Sequence, residues 1–265
     1  VALLKLFIFS LVIVVGLGCQ KRKAAPVLRS SQPEVLQEHA NIVEDANGLS
    51  PALYFIPILD VKQVDTDCRE NEKQPIKNIQ GQTITHVCEL DYRLCVKQGT
   101  CLLNEPRGIR IINFTTRRGK IPLFSDKIKK ECPYGLGFKD ACLDPYYTVA
   151  ADLKFHKLGD VIFVPTVRGM KLPNGDTHDG YFVVRDSGSN LKSEKRFDFF
   201  TGFDRDTEDL NVFKKLGLDN KENRFKYEKA PEAIATKVRA KRNYPKLNRK
   251  QIAEANVFIK KTMGK

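Results

Sequence analysis

GYFVVRDSGSNLKSEKRFDFFTG, residues 180–202, contains two strand signals separated by a turn. Tyr181 to Val184 is a run of aromatic and β-branched residues that delivers Asp186 into Ser187-Gly188-Ser189, which predicts a strand ending in a tight turn. Arg196-Phe197-Asp198-Phe199-Phe200 then alternates polar and aromatic side chains at period two. Arg196 and Asp198 are therefore expected on one face, and Phe197 and Phe199 on the other. Two carboxylates are predicted on neighbouring strands. An isolated Asp before Ser-Gly reads as an Asx turn; the second carboxylate is what favours a chemical role.

Outward from this stretch, Leu53 to Leu59, Val87 to Tyr92, Ile109 to Phe114, Tyr147 to Ala151 and Val161 to Val164 are further strand candidates. All are short and are separated by Gly, Pro, Asn and Cys-bearing loops, which predicts a mainly β chain built as a small barrel or sandwich rather than βαβ units. After Thr207 the texture changes to helix: Asp209 to Leu216 with Gly217 as its stop, Pro231 to Arg242, and Asn248 to Thr262. This extension is basic, with Lys237, Arg239, Lys241, Arg242, Lys246, Arg249 and Lys250 clustered. The cluster reads either as a solvated face or as a docking surface for an anionic polymer.

The chain has 265 residues, 42% apolar and 29% charged, with a net charge of +13. One principal domain with extensions is expected, and an anionic partner is favoured. Leu6 to Leu17 is apolar apart from Ser10, follows Lys5 and ends in Gly16-Leu17-Gly18-Cys19. That layout predicts an export signal over residues 1–19, with Cys19 placed for lipid attachment; an uncleaved helical anchor is the competing reading. Residues 20–52 read as a tether, with Ser31 and Glu34 as a capping box for a short helix that carries Val35, Leu36, His39, Ile42 and Val43 on one face. Setting Cys19 aside, six cysteines remain: Cys68, Cys88, Cys95, Cys101, Cys132 and Cys142. They form no Cys-x-x-Cys pair, so a disulfide framework outside the cytoplasm is expected rather than zinc, with near neighbours such as Cys132 and Cys142 paired. Disulfides in turn argue against a nucleic-acid partner. No metal or cofactor is expected: Asp176, His178 and Asp179 sit in a Pro-Asn-Gly hairpin where polar residues are normal, and His86 and His156 read as structural.

Tyr147-Thr148-Val149-Ala150-Ala151-Asp152, Leu158-Gly159-Asp160-Val161-Ile162-Phe163-Val164, Val184-Arg185-Asp186-Ser187-Gly188, Leu191-Lys192 and Arg196-Phe197-Asp198-Phe199-Phe200 together resemble the 3D domain, named for three aspartates. That domain occurs in the membrane-bound lytic transglycosylase A family and is similar to double-psi β-barrels. Ser189 and Ser193 stand where the pattern usually has glycine, and Arg168 to Asp176 looks like an inserted hairpin. The resemblance implies a 3D-type double-psi barrel over residues 53–206 with a disulfide-bearing N-terminal part, followed by a basic helical extension over 207–265. It leaves no room for the large second domain of full-length family members. It also implies catalytic roles for Asp186, Asp198 and Asp152, with Asp186 as the acid, and substrate contacts from Lys192, Arg196, Ser187, Gly188 and Phe200.

The implied activity is cleavage of peptidoglycan glycan strands at the MurNAc-GlcNAc β-1,4 bond by a monomer exported to the cell envelope and held at the membrane through its N-terminus. A lytic transglycosylase needs one carboxyl that gives a proton and then takes one back. Asp152 and Asp198 are expected to raise the pKa of Asp186 by like-charge repulsion, with desolvation against Phe197 or Phe200 adding to it. A non-catalytic wall-binding protein and a two-carboxylate glycoside hydrolase are the alternatives.

Overall fold

The computed structural model describes residues 47–126, 129–188, 190–204 and 211–263, without the side chains of residues 63, 65, 66, 204, 262 and 263. The predicted export segment with Cys19, the tether helix with His39, Ser189 and the start of the helix expected from Asp209 lie outside these residues. The strands are β1 (Ser50–Asp60), β2 (Lys73–Asn78), β3 (Thr83–Cys88), β4 (Thr100–Glu105), β5 (Gly108–Arg118), β6 (Ile121–Ser125), β7 (Thr148–Ala151), β8 (Val161–Phe163), β9 (Tyr181–Asp186), β10 (Arg196–Asp204) and β11 (Glu228–Lys229). The helices are α1 (Val64–Asp67), α2 (Glu89–Gln98), α3 (Val212–Lys215), α4 (Glu232–Lys241) and α5 (Arg249–Met263).

β1 is the seam of the sheet. Residues 50–57 of β1 pair in parallel with β10, and residues 58–60 pair in parallel with β4. The described strands run in the order β11-β8-β9-β7-β10-β1-β4-β5-β6-β2-β3. The chain is thus a mixed α/β fold with a helical C-terminal part.

β10 alternates as its sequence predicts. Phe197 and Phe199 enter a core with Val149, Ile162, Phe182, Val184 and Phe213, while Phe200 enters a second core with Ile56, Leu102 and Leu143. Both faces of this half of the sheet are therefore covered, at roughly 25 cal/mol for each Å² of apolar surface removed from water.

Residues 73–125 build a second module around Ile76, Val87, Leu103, Ile112 and Phe124, where the sequence pointed to a single barrel. Three of its strands escape pattern reading because each is short and mostly polar or Pro-bearing: Lys73–Asn78 buries only Ile76, Thr100–Glu105 has an apolar run of three, and Ile121–Ser125 contains Pro122. The strand expected over Val87 to Tyr92 stops at Cys88, and Glu89–Gln98 is helical. Glu89 and Asp91 favour the positive end of that helix, and Gly99 closes it at φ 79° with its N–H on the Cys95 carbonyl.

Three disulfides join near neighbours: Cys68–Cys88, Cys95–Cys101 and Cys132–Cys142. The C-terminal part is built into the fold rather than appended to it. Ala235 and Val238 of α4 pack on Val161 and Val183, and Leu247 packs on the Cys132–Cys142 disulfide. Four of its seven clustered cations are ion-paired: Arg239 with Glu232, Lys241 with Asp179, Arg242 with Asp144 and Lys250 with Asp176. Asp144, Asp176 and Asp179 thus neutralise much of the charge that the sequence alone offers to an anionic polymer. No helix among the described residues is long and apolar enough to cross a membrane.

The Cys132–Cys142 disulfide closes the loop that presses on the end of β9 and seats Leu247. Replacing both cysteines by Ser should cost about 3 kcal/mol, from loop-closure entropy alone. Denaturant melts of the double variant against the oxidised parent measure this; an unchanged midpoint contradicts it.

Candidate active site

Strict alternation along β9 sends Phe182, Val184 and Asp186 to one face, which would put a carboxylate in the phenylalanine core. A β-bulge prevents this. Val184 pairs with Val149 of β7, but Asp186 pairs with the very next residue, Ala150, so Arg185 is an extra residue in the strand. Asp186 therefore shares the face of Ala150. Asp198 of β10 pairs with the same Ala150 from the other side, and Ala52 of β1 pairs with Asp198. The row Asp186, Ala150, Asp198, Ala52 crosses four strands, with methyl groups alternating with carboxylates. Two strand spacings put the aspartate backbones about 9.5 Å apart, and the small alanines leave a trough between the acids.

The bulge is fixed through Arg185, whose side chain is fully buried. Its Nη1 donates to the carbonyls of Cys142 at 2.8 Å, Lys246 at 3.1 Å and Pro245 at 3.2 Å, and its Nη2 donates to Arg242 at 3.0 Å. Asp144 lies 4.0 Å away and is itself held by two hydrogen bonds from Arg242, at 2.8 and 2.9 Å. Burial lowers the Arg185 pKa, and Asp144 opposes the shift. On the other side Gly137 lies against the strand: a Cβ there would stand 2.4 Å from the Arg185 carbonyl oxygen. That contact brings the N–H of Phe138 to the Asp186 carboxyl.

Asp186 keeps part of its surface open while protein crowds the rest. Burial pushes its pKa up to about 7; the N–H groups of Ser187 and Phe138 and the Tyr54 hydroxyl pull against this, and the charge of Asp198 adds to it. Ser187 N–H donates to Asp186 Oδ1 at 2.8 Å. Desolvation, rather than the like-charge repulsion stressed by the sequence reading, is the leading cause.

Burial also raises Asp198, against the pull of Arg196 and then Lys97. The Arg196 guanidinium lies 3.1 Å from Asp198 Oδ1 and donates to the Pro51 carbonyl at 3.0 Å. Asp152 is not among the leading causes of the Asp186 shift. Its Oδ1 accepts the Lys154 N–H at 3.0 Å and its carbonyl accepts from His156, closing the turn after β7. His156 continues this tie through Nε2 to the Glu194 carbonyl at 2.7 Å, in keeping with a structural role.

Gly188 and Lys192 are exposed in the loop before β10. Phe200, expected to touch substrate, is fully buried and lies against Tyr54 and Tyr134, so it packs beneath the site. His178 bonds to the Tyr146 carbonyl and accepts from Gly180, and burial pulls its pKa down to about 4.

Tyr54, Arg185, Phe138 and Lys97 belong to this site and were not singled out in the sequence. Tyr54 pairs with Phe200, two residues along from the Ala52–Asp198 pair. Its enclosed hydroxyl forms no hydrogen bond of good geometry, and burial and then the charges of Asp186 and Asp198 push its pKa well above the usual tyrosine range. Its place inside an apolar strand looks like ordinary packing until β1 is paired with β10.

The raised pKa of Asp186 sets a stability test. The unfolded chain releases this proton near pH 4 and the folded chain near pH 7, so between these values the folded state binds more proton and stability falls as pH rises. Asp186→Asn removes that loss. The variant should melt higher than the parent at pH 8, by at most about 4 kcal/mol, and alongside it at pH 4. Thermal melts with the same offset at both pH values would contradict the shift.

The family model described as the 3D domain matches residues 147–215. Among solved structures, the membrane-bound lytic murein transglycosylase from Agrobacterium tumefaciens is 14% identical with a TM-score of 0.48, over 72% of this chain and 75% of that one. E. coli MltA with bound chitohexaose is 12% identical with a TM-score of 0.45, over 69% and 72%. The lytic transglycosylase LtgG of Burkholderia pseudomallei is 14% identical with a TM-score of 0.37, over 66% and 69%. No curated protein sequence matches significantly.

Proposed function

From a chain that carries a 3D domain over residues 147–215, we infer a lytic transglycosylase that cleaves the MurNAc-GlcNAc β-1,4 bond of peptidoglycan, with Asp186 as its single acid and base. The observation that carries this reading is the place of Asp186, partly open at a strand end and level with Asp198 across Ala150, where burial pushes its pKa up to about 7. A carboxyl of that kind is substantially protonated at neutral pH, as a general acid must be. The parallel pairs β1–β10 and β7–β9 around it support a double-psi arrangement of this half of the sheet.

In the first half of the reaction the Asp186 carboxyl protonates the glycosidic oxygen as the bond to the anomeric carbon breaks. The C6 hydroxyl of the same muramic acid then attacks that carbon and returns its proton to the Asp186 carboxylate. The proton count closes without water. Asp198, across Ala150, raises Asp186 and faces the positive charge that develops on the sugar ring. Because Arg196 engages Asp198, the second carboxylate is less suited to activate water, which favours the single-acid route over hydrolysis. In this reading Asp152 and the turn it closes position the start of β10, Ser187 and Gly188 present backbone to the substrate, and the exposed Lys192, with Arg196, would hold substrate carboxylates.

Mass spectrometry of purified glycan strands after digestion separates the alternatives. Each cut should leave a 1,6-anhydromuramic end; reducing ends heavier by one water would mean hydrolysis, and uncut strands would mean binding alone. Asp186→Asn should abolish turnover while leaving the fold intact, because the amide has no acid proton to give. The rate should fall as pH rises through about 7, where wild-type Asp186 loses its proton.

We propose further that the chain is exported and carries a lipid on Cys19. The cysteines beyond Cys19 stand in three disulfides. Thiol titration of the denatured, unreduced mature protein should find none of these six reactive; six reactive groups would rule out export to an oxidising compartment.

A further inference from the structure

Tyr54 carries a hydroxyl that the fold encloses and leaves unbonded. Its oxygen is shut off from solvent and has no hydrogen-bond partner of good geometry among the described residues, a state that weakens a fold rather than supporting it. The strand pairing shows what stands near it. Tyr54 shares the face of Ala52 by the period of two, Ala52 pairs with Asp198, and Asp198 belongs to the row that ends at Asp186. The ring is held there by Phe200, 5.0 Å away between centres, and Thr201 donates to the Tyr54 carbonyl at 3.4 Å. The charges of both acids act on the hydroxyl, Asp186 more than Asp198.

What Asp186 needs from its surroundings depends on its proton. Protonated, it has an O–H of its own and accepts from the N–H groups of Ser187 and Phe138. Ionised, it is an acceptor only, with about four lone-pair sites to fill, and a donor to an ionised group makes a bond roughly twice as strong as one between neutral groups. The charged groups nearby are committed elsewhere. Asp198 repels a second negative charge, Arg196 is engaged by Asp198 and the Pro51 carbonyl, Lys97 acts on Asp198, and Arg185 turns behind the strand to backbone carbonyls. Burial first, and then the two acids, keep the proton on Tyr54 well beyond the range in which Asp186 titrates. The tyrosine is therefore a donor at every working pH.

We propose that Tyr54 is a positioning residue whose hydroxyl is kept for the ionised form of Asp186: it turns onto the carboxylate once the acid has given up its proton and lets go when the proton returns. No covalent bond changes at the tyrosine. The kinetic consequence rests on the reaction proposed above. The interaction forms as charge develops on Asp186 and is absent from the resting acid, so it speeds bond cleavage rather than substrate binding.

Tyr54→Phe removes the oxygen and keeps the ring. The variant should melt no lower than the parent at pH 5, where Asp186 is neutral, and should lose more stability than the parent on going to pH 8. The sign follows from the lost donor: without it the folded chain holds the Asp186 proton to higher pH, so the fall in stability that begins near the unfolded value continues further. In an Asp186→Asn background, where no carboxylate forms, the effect of Tyr54→Phe should be the same at both pH values. On glycan strands kcat should fall between about tenfold and a hundredfold with KM unchanged, and the loss of rate with rising pH should move up by about one to two units. The intact parent gives a reading without the variant: the carbon-13 resonance of the Tyr54 ring carbon bearing the hydroxyl should shift as Asp186 titrates and stay still in Asp186→Asn.

The same pH dependence of melting with and without the hydroxyl, or a resonance that stays still in the parent, overturns the proposal whether or not the parent cuts glycan. A variant less stable at pH 5 overturns it too, because the hydroxyl would then serve the neutral acid. An unchanged kcat in a parent that cuts does the same and leaves Asp186 as the acid. The predicted melts beside a parent that leaves glycan uncut uphold the donor and remove the enzyme.

Discussion

One extra residue in β9 decides on which face of the sheet Asp186 lies. Without Arg185 as a bulge, the alternation that buries Phe182 and Val184 would bury Asp186 among the same rings. With it, Arg185 is free to reach away from the core and Asp186 comes level with Asp198 across a strand whose only contribution there is a methyl group. Bulges commonly re-aim a side chain in this way. This one is expensive to hold, since a guanidinium must be taken wholly out of water. Four backbone carbonyls and a nearby carboxylate offset that cost.

That requirement explains the C-terminal part of the chain. Three of the four acceptors of Arg185 are carbonyls of Arg242, Pro245 and Lys246, and the fourth belongs to the disulfide-bonded Cys142. The segment after α4 therefore secures the bulge and, through it, Asp186. The Cys132–Cys142 loop contributes on both sides: Cys142 accepts from the guanidinium, and Gly137 lets the backbone approach closely enough to aim Phe138 N–H at the carboxyl.

The two acids are then set apart by surroundings rather than by type. Asp186 is crowded by protein and meets only neutral donors, so burial governs it. Asp198 meets Arg196 and, from the second module, Lys97, which restrain the same effect. The second module thus reaches the site through the end of α2, where Gln98 also accepts the N–H of Phe55 in β1. At the opposite end of β10 the hairpin and α5 meet where Lys250 faces both Asp176 and Glu254.

The sequence by itself determined the local features. The period of two in Arg196 to Phe200 separated aspartate from phenylalanine, the Ser-Gly after Asp186 ended a strand, and the near-neighbour cysteines paired as spacing suggested. The aspartates together with their flanking motifs, Leu158-Gly159, Ser187-Gly188, Leu191-Lys192 and Arg196-Phe197, were enough to find a domain that the family model also matches. Only the tertiary structure decided the bulge, because an inserted residue is visible only against a partner strand. For the same reason Tyr54 read as packing and Phe200 as a substrate contact until pairing put one beside the acid and the other beneath it. The second module stayed hidden because its strands gain their order from hydrogen bonds to one another, which leave little hydrophobic pattern in segments such as Lys73–Asn78. The basic cluster read as one surface for the corresponding reason: a sequence counts charges, and only the fold brings Asp144, Asp176 and Asp179 to meet them.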